Sequence, residues 1–370
     1  MEKITLRKIA DELGVSIGTV DRALHNRSNI KKETKEAVLE LIKQYNYIPD
    51  RNASSLSRKK TKTRIGVILH SYPEFYWNCV QSGLTVAGNE LRDFGLEIIY
   101  KKLILWNIEE LILKIDELIA EKIDAIILVP INDPLLIKSI DSAFVKGIPI
   151  VTIDDDINDS KRIFYVGPQM MQSGIVAGEL MGKFLYGKGN IVIVSGNYSS
   201  SESYVYHQQI EGFRKIINQK YKDINIVAMY SYDFQSLKDN LDNMIKGFLD
   251  NISNVSGIYD ADGASLSNIG EYVKYYKIKD IVVIGHEIWS KVETLMSEGI
   301  IQACISQDPY SQGYYAIKYL YDYLVYGNLP YSERMNTRIE IILRENLTTQ
   351  KNIINPYLSR VGSGDLTPRR

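Results

Sequence analysis

The residues that carry the most chemical information lie between Thr5 and Asn26, where small and polar side chains fall on a short predicted helix. Hydroxyl, amide and guanidinium groups on the exposed side of a helix can bond to the phosphates and base edges of DNA. A second short helix precedes this one, and a glycine-centred turn joins the two. The pattern predicts a helix-turn-helix that enters the DNA major groove.

The apolar and turn residues of the same segment supply the means to position the second helix. The predicted core residues of the two helices recur at helical spacing and are Ile9, Ala10, Leu13, Val20 and Leu24. Gly14 can adopt the left-handed conformation that a sharp turn needs. Ser16 can cap the second helix, because its hydroxyl can accept a hydrogen bond from a free amide at the helix start.

This segment resembles the headpiece of the lactose-repressor (LacI) family of bacterial transcription regulators. The residues that match the recognition helix of that family are Val15, Ser16, Thr19, Val20, Arg22 and Leu24. The resemblance implies that Thr5, Ser16 and Thr19 contact phosphates. It also implies that Arg22 reads a guanine, whose O6 and N7 one guanidinium can bond together. Ile17, Gly18 and Asn26 complete the implied DNA contacts.

Two residues depart from the family pattern. Asp21 stands where the family usually has Ser, and Lys31 stands where it usually has a helix-capping Ser or Thr. Because Asp21 would repel phosphate, we do not expect it to contact the DNA backbone. An ordinary helical pair at a protein interface is the alternative interpretation of the whole segment.

The charge distribution supports a nucleic-acid-binding head. Residues 1–64 hold 15 Lys plus Arg against 8 Asp plus Glu, whereas the rest of the chain holds 29 against 37. A basic head that neutralises phosphates is therefore joined to an acidic body. A third helix is predicted from Lys32 to Asn46, and Pro49 ends the headpiece, which we place at residues 1–49.

Residues 50–62 are short, polar and basic, and they carry the Asn-Ala-x-x-Leu core of the hinge helix in the resembled family. The resemblance implies that Leu56 wedges into the minor groove and kinks the duplex, with Ala53 packed beside it. Ser54 replaces the Arg that is usual in the family. A flexible basic linker is therefore the alternative interpretation of this segment.

From Arg64 onward, short apolar runs alternate with amphipathic helices, which predicts an α/β body. One series of five strands is expected at residues 65–69, 96–100, 125–129, 149–153 and 163–166, with helices at 77–94, 108–121 and 134–145. A second series is expected at 190–194, 224–229, 257–259, 281–284 and 303–305, with helices at 169–185, 206–218, 236–250, 264–276 and 291–297. Two similar lobes in tandem, each with a parallel sheet, suggest a clamshell.

The body resembles the periplasmic sugar-binding proteins of the ribose-binding type. We therefore expect an effector-binding domain at residues 63–346, followed by a tail at 347–370. The first lobe is placed at about 63–165 and 308–330, and the second at about 166–306 and 331–346. Such lobes bind a ligand in the cleft between them, beyond the carboxyl ends of the strands.

The resemblance, carried over residue by residue, gives a set of candidate ligand contacts at strand ends. They are Glu74, Tyr76, Trp77, Asp154, Asp155, His207, Phe234, Asp260, Glu287 and Gln307. Aromatic rings would stack on the apolar faces of a sugar, and carboxylates and amides would bond its hydroxyls. Tyr232 is an alternative to Phe234, and Asp262 is an alternative to Asp260.

Departures from the sugar-binding pattern bear on the ligand. His207 and Asp155 each stand where the relatives usually have Arg, Ala261 replaces an Asn, and Glu287 replaces an Asp. Losing two cationic donors while keeping acidic groups argues against a phosphorylated or carboxylated effector. A neutral polyol, an amino sugar or a cationic ligand is favoured.

An enzyme is the competing class, and the sequence offers no catalytic constellation for it. The four His residues lack metalloprotease spacing, and Cys79 and Cys304 form neither a close pair nor a zinc pattern. We expect no cofactor and no metal. A secreted solute receptor with no regulatory role is the other alternative, but the charged start of the chain has no apolar signal region, so we expect a cytoplasmic protein.

The expected function is a ligand-controlled transcription regulator, by default a repressor released by its ligand. The same parts would serve a corepressor-dependent regulator, so the polarity of the switch stays open. One headpiece reads only a half-site, and we therefore expect a homodimer on a palindromic operator. The tail shows no heptad pattern that would support a tetramer.

Overall fold

The N-terminal head is a bundle of three helices. The computed structural model describes residues 6–24, 30–45, 62–104, 107–197, 204–233, 247 and 254–347. Helix α1 spans Leu6–Glu12, α2 spans Ile17–Leu24 and α3 spans Lys32–Gln44. They enclose a small core of Ile9, Ala10, Val20, Ala23 and Val38. Of the predicted core residues, Ile9, Ala10 and Val20 are confirmed and Leu13 packs against them partly buried, whereas the side chain of Leu24 lies outside the described part.

The first lobe is a parallel six-stranded sheet with helices on both faces. Its main strands are β1 (Thr63–His70), β2 (Leu96–Leu103), β3 (Ala125–Leu128), β4 (Ile150–Ile153) and β5 (Phe164–Gly167). The intervening helices are α4 (Glu74–Leu91), α5 (Ile108–Ala120) and α6 (Pro134–Val145). Asn107 and Asp133 cap α5 and α6 by accepting hydrogen bonds from the amides of Glu110 and Leu135. Strands β3, β4 and β5 are wholly buried, which is typical of a parallel sheet covered on two faces.

The second lobe repeats this plan. Its elements are α7 (Met170–Phe184), β6 (Lys188–Asn197), α8 (Tyr204–Lys220), β7 (Asp223–Asp233), β8 (Val255–Asp260), α9 (Leu266–Tyr275), β9 (Val282–His286), α10 (Ser290–Ser297) and β10 (Ala303–Ser306). The helix predicted at 236–250 falls, apart from residue 247, outside the described residues. The predicted α/β architecture with two sheets of mostly parallel strands is confirmed.

The chain then returns to the first lobe and crosses back once more. Helix α11 (Pro309–Tyr326) packs against α4, and strand β11 (Arg334–Asn336) pairs in parallel with β5. Strand β12 (Glu340–Ile342) pairs antiparallel with β10 of the second lobe. The sheet orders are β11-β5-β4-β3-β1-β2 and β12-β10-β9-β8-β6-β7.

One boundary differs from the sequence-based expectation. Residues 331–346 were all assigned to the second lobe, but Arg334–Asn336 extends the first sheet. The last crossover therefore lies between Asn336 and Glu340. The strands β11 and β12 have three residues each, and β12 is antiparallel, so neither fits the expected pattern of five parallel strands per lobe.

Helices α4 and α11 approach closely enough for backbone to meet backbone. A Cβ atom added to Gly83 would collide with the carbonyl of Tyr310, and one added to Gly313 would collide with the carbonyl of Val80. The absence of side chains at these two positions therefore permits the contact. This contact fixes the start of α11, which follows the second crossover, against the first lobe.

Candidate functional site

Two acidic residues occupy equivalent places in the two lobes. Asp154 follows β4, and Glu287 follows β9, the corresponding strand of the second sheet. Both have a left-handed backbone, with φ of 66° and 59°. The amide of Asp154 donates to Val166 O (3.3 Å) in β5, and that of Glu287 donates to Ile305 O (3.0 Å) in β10. The pair is therefore related by the internal repeat of the fold.

Burial perturbs both carboxyl groups. It raises the pKa of Asp154 to about 6, although the hydroxyl of Tyr76 counteracts this by donating to the carboxylate. It raises the pKa of Glu287 to about 8, and the negative charge of Asp154 adds to the effect. The two carboxyl groups therefore lie within electrostatic range of each other in a region from which water is largely excluded.

A chain of hydrogen bonds links Asp154 to the second crossover. Tyr76 in α4 donates its hydroxyl proton to Oδ1 of Asp154. The amide Nε2 of Gln312, at the start of α11, donates to the Tyr76 oxygen (3.0 Å) and to Gln307 O (3.4 Å). Gln312 is 0 % exposed, and its Oε1 has no hydrogen-bond partner. The chain therefore ends in an unsatisfied acceptor.

Glu287 is held by the last residue of β10 and the residue that follows it. Its Oε1 accepts from the amide of Gln307 (2.8 Å), and its Oε2 accepts from the hydroxyl of Ser306 (3.3 Å). The side-chain nitrogen of Gln307 lies 3.4 Å from Nδ1 of His286. Burial lowers the pKa of His286 to about 3, so its imidazole is neutral and serves as part of this scaffold.

Aromatic side chains connect the two lobes beside these carboxyl groups. The rings of Phe75 and Trp289 stack with centroids 3.7 Å apart and planes at 16°. Phe75 belongs to the first lobe, and Trp289 follows Glu287 by two residues in the second. Burial raises the pKa of Tyr72 in the first lobe, and the negative charge of Asp262 in the second lobe adds to the effect. The described structure therefore has its lobes in contact.

The structure brings four of the candidate contacts together: Tyr76, Asp154, Glu287 and Gln307. Glu74 and Trp77 instead line a small cavity of about 80 Å³ that also includes His70 and Lys101. The indole nitrogen of Trp77 donates to Tyr72 O (3.0 Å), and its ring is buried in the first lobe. These two side chains therefore lie on a different face of α4 from Tyr76.

Two further candidates are engaged within their own loops. Oδ1 of Asp155 accepts from the amide of Asp156 (2.7 Å), and burial raises the pKa of Asp155 well above its usual range. Asp260 is 0 % exposed and accepts from Gly263 N (3.2 Å) and Ser265 Oγ (2.8 Å). Asp260 therefore has hydrogen-bond partners in its own loop, and its role as a ligand contact, like that of the alternative Asp262, stays a prediction.

Asp262 lies on the loop after β8 and is held in place by several donors. Its carboxylate accepts from the hydroxyl of Tyr232 (2.6 and 2.7 Å) and from Ala264 N (2.8 Å). Tyr232 is thus a support for an acidic residue of the cleft. Phe234, its alternative, lies outside the described residues, and His207 lies in α8 with a side chain outside the described part.

The head presents the polar surface that the sequence predicted. The amide of Thr19 donates to Ser16 Oγ (3.1 Å), which confirms the cap, and Gly14 has φ of 61°. Nη2 of Arg22 donates to Thr19 Oγ1 (3.2 Å), while Ile17 is 46 % exposed. Gly18 adds no bulk to this surface. The remaining predicted DNA contacts, Thr5, Asn26, Ala53 and Leu56, lie outside the described residues.

Sequence reasoning missed three participants: Phe75, Trp289 and Gln312. Phe75 directly precedes the candidate Tyr76, and Trp289 follows Glu287 by two residues, so aromatic residues next to acidic strand ends were the available signal. Gln312 lies on a helix rich in Tyr, where an amide near the helix start stands out. Their partners are distant in sequence, which hid their role.

Within the described part of the chain, no group of three or more His, Cys, Asp or Glu side chains is arranged to hold a metal ion. None of the described helices is long and apolar enough to cross a membrane. The site is therefore a set of hydrogen-bonding and aromatic groups.

The chain has a three-helix head followed by two α/β lobes, and polar groups converge at the strand ends of these lobes. This arrangement defines a two-lobed ligand-binding protein with a helix-turn-helix domain. Residues 65–328 match the periplasmic binding protein domain, and residues 5–50 match the bacterial regulatory proteins of the lacI family. The chain belongs to the periplasmic binding protein domain family and carries a lacI-family domain at its N-terminus. The N-terminal match is thus to a family of regulatory proteins.

Individual relatives agree with this division. Catabolite control protein A from Staphylococcus aureus is 40% identical over 81 residues, which cover 22% of this chain and 24% of that protein. The matched segment thus spans about a quarter of the length of such curated relatives. A putative LacI transcriptional regulator from Bacteroides fragilis is 22% identical, with 78% of this chain and 99% of that chain covered and a TM-score of 0.72.

A solved sugar receptor shares the fold of the body. GanP, a glucose-galactose binding protein from Geobacillus stearothermophilus, is 23% identical, with 78% of this chain and 99% of that chain covered and a TM-score of 0.69. The two-lobed architecture is therefore shared between a protein described as a regulator and one described as a sugar-binding protein.

Proposed function

We propose that this protein is a transcription regulator whose DNA binding responds to a sugar-type ligand held between its two lobes. The observation that carries the proposal is the junction of two modules on one chain: a head with the Ser16, Thr19 and Arg22 surface, and a two-lobed body with paired carboxyl groups at its strand ends. Lobe closure is the bistable element that a ligand can bias.

The chemistry of the head supports direct reading of DNA. Arg22 has one guanidinium nitrogen bonded to Thr19, and its Nε is buried without a hydrogen-bond partner. A guanidinium can bond O6 and N7 of guanine together, whereas Ser16 and Thr19 offer hydroxyls for phosphates. Leu56 remains the proposed minor-groove wedge, with Ala53 beside it.

The effector class is proposed from the site and from the relatives. Carboxylates, amides and aromatic rings are the groups that bind sugar hydroxyls and sugar faces, and GanP is described as a glucose-galactose binding protein. Repression relieved by ligand is the default polarity, and corepression would use the same parts. We place the protein in the cytoplasm, as a homodimer on a palindromic operator, because one head reads only a half-site.

The test starts from a random duplex library. The full-length protein is used to select an operator, and fluorescence anisotropy then measures binding of that operator and of a scrambled duplex at fixed salt. Arg22→Ala should weaken operator binding by roughly 10- to 100-fold while leaving binding of the scrambled duplex nearly unchanged, because each base contact contributes about 1–3 kcal/mol of discrimination. Arg214→Ala, which removes an exposed cation from the second lobe, is the control.

Two results would contradict the proposal. If selection enriches no sequence, the protein has no operator, and a solute-binding protein without a regulatory role becomes the better interpretation. If Arg22→Ala and Arg214→Ala behave alike on both duplexes, the DNA-reading surface lies elsewhere.

A further inference from the structure

The hydrogen-bond chain at Asp154 includes a buried acceptor that no donor of the described residues satisfies. The Tyr76 hydroxyl donates its single proton to Asp154, and the amide nitrogen of Gln312 donates to that same tyrosine. The Gln312 oxygen is buried and accepts from no group. The amide nitrogen of the same side chain is bonded to the tyrosine that holds Asp154. A ligand that supplies donors would satisfy these groups.

The carboxyl groups of the site also have no cationic partner among the described residues. No Lys or Arg of the described chain forms an ion pair with Asp154 or Glu287. Asp156, two residues after Asp154 and 5 % exposed, instead forms ion pairs with Arg162 and Arg334. The fold thus pairs a buried carboxylate of its scaffold with two cations, and leaves the two carboxyl groups of the site without a cationic partner among the described residues.

These groups suit an organic cation. The described residues offer no set of three or more ligating side chains for a metal ion. An ammonium group has up to three directed donors, which match two carboxylates and one amide oxygen. The rings of Tyr76, Phe75 and Trp289 adjoin this cluster, and aromatic faces attract organic cations and the apolar face of a sugar ring.

We propose that the effector is an amino sugar whose protonated amine lies between Asp154 and Glu287 and near Oε1 of Gln312. This inference rests on the proposed function, because it assumes that the ligand binds between the lobes. It excludes phosphorylated and carboxylated sugars, whose charge would face two carboxyl groups. It also makes Glu287 a specificity-determining residue: beside an ammonium group its buried carboxyl ionises and forms an ion pair, whereas beside a neutral sugar it stays protonated.

Matched ligand pairs test the charge directly. Glucosamine, galactosamine and mannosamine are compared with glucose, galactose and mannose, and with the uncharged N-acetyl forms of the three amines. Binding to the full-length protein is followed by thermal shift and by calorimetry at pH 7 and constant ionic strength. At least one amine should bind roughly 10- to 100-fold more tightly than its neutral partners, the range expected for hydrogen bonds to charged groups.

Three variants locate the amine. Glu287→Gln and Asp154→Asn each keep the shape of the side chain and remove its ability to carry a negative charge beside the amine. Each should reduce the preference for the amine to a few-fold at most. Glu298→Gln makes the same change at an exposed position of the second lobe and should leave the preference intact.

The remaining outcomes distinguish a failure of this inference from a failure of the proposed function. If a neutral sugar binds as tightly as its amine, the amine assignment is overturned while the sugar-responsive regulator stands. An amine preference that survives in both Glu287→Gln and Asp154→Asn overturns the placement. If no sugar of the panel binds, the sugar-type effector of the proposed function fails together with the inference.

Discussion

At the residue scale, the unusual feature is a pair of buried carboxyl groups that follow corresponding strands in the two lobes. Asp154 and Glu287 both adopt left-handed backbone conformations that a side-chain-bearing residue seldom takes. Such positions are retained where the surrounding structure enforces them, and they cluster at functional sites. The backbone therefore places these side chains at the strand ends at some energetic expense.

The buried state of Glu287 should make stability depend on pH. The groups around it that titrate or carry charge are Asp154, Asp308, Tyr76, Cys79 and Cys304. Because burial raises its pKa to about 8 in the folded protein, the unfolded chain loses this proton at lower pH than the folded protein does. The stabilisation that Glu287 contributes is fully present below its pKa in the unfolded chain. It is lost as the pH rises, until the pH passes the pKa of Glu287 in the folded protein.

Glu287→Gln should remove that dependence. Relative to the variant, the free energy of unfolding of the unmodified protein should fall by roughly 1.4 kcal/mol for each pH unit between the two pKa values, and then stay level. Urea denaturation at pH 5, 6, 7, 8 and 9 measures the difference, with Glu298→Gln as the exposed control. Parallel stability profiles for the variant and the unmodified protein would contradict the buried, protonated state of Glu287.

At the element scale, the strand-helix alternation was readable from the sequence because buried strands and amphipathic helices leave different periodicities. Helix α6 was predicted with its observed bounds, since Asp133 and Pro134 mark its start. Strands β11 and β12 were not predicted because each has three residues with a single buried side chain, which is too short to show an alternating pattern. Asp260 and Asp262 stay alternatives as ligand contacts, because both accept hydrogen bonds from donors of their own loop.

The backbone contact between α4 and α11 yields a prediction at this scale. Gly83→Ala places a methyl group against the backbone of α11, which no side-chain rotation can relieve, so we expect a destabilisation of about 1–3 kcal/mol from overpacking. The gain in helix propensity, roughly 1 kcal/mol, only partly offsets it. Urea denaturation measures the net change.

Gly88→Ala supplies a matched control in the same helix. A methyl group at Gly88 meets only the end of the Ile98 side chain, which can move aside, so the propensity gain should dominate and stability should hold or rise. Equal effects of the two substitutions would mean that α4 and α11 are not in backbone contact.

At the scale of the whole molecule, the stack of Phe75 on Trp289 holds the lobes together. Trp289→Ala should weaken binding of an effector by roughly 2- to 10-fold, since aromatic pairs contribute about 0.5–1.5 kcal/mol beyond their buried area. Small-angle scattering of the unliganded variant should show a larger radius of gyration. Trp289→Phe, which keeps a ring, should stay close to the unmodified protein, and an unchanged affinity in Trp289→Ala would show that the stack plays no part in closure.

We expect the ligand site and the DNA-binding head to be coupled, and a titration of operator binding measures that coupling. Operator binding is measured by fluorescence anisotropy with and without the amino sugar that gives the largest thermal shift, in the unmodified protein and in Asp154→Asn. The ligand should change the operator Kd by at least several-fold, and the operator should change the ligand Kd by the same factor. Asp154→Asn should abolish both effects. An operator Kd that is unaffected by saturating ligand would contradict the coupling.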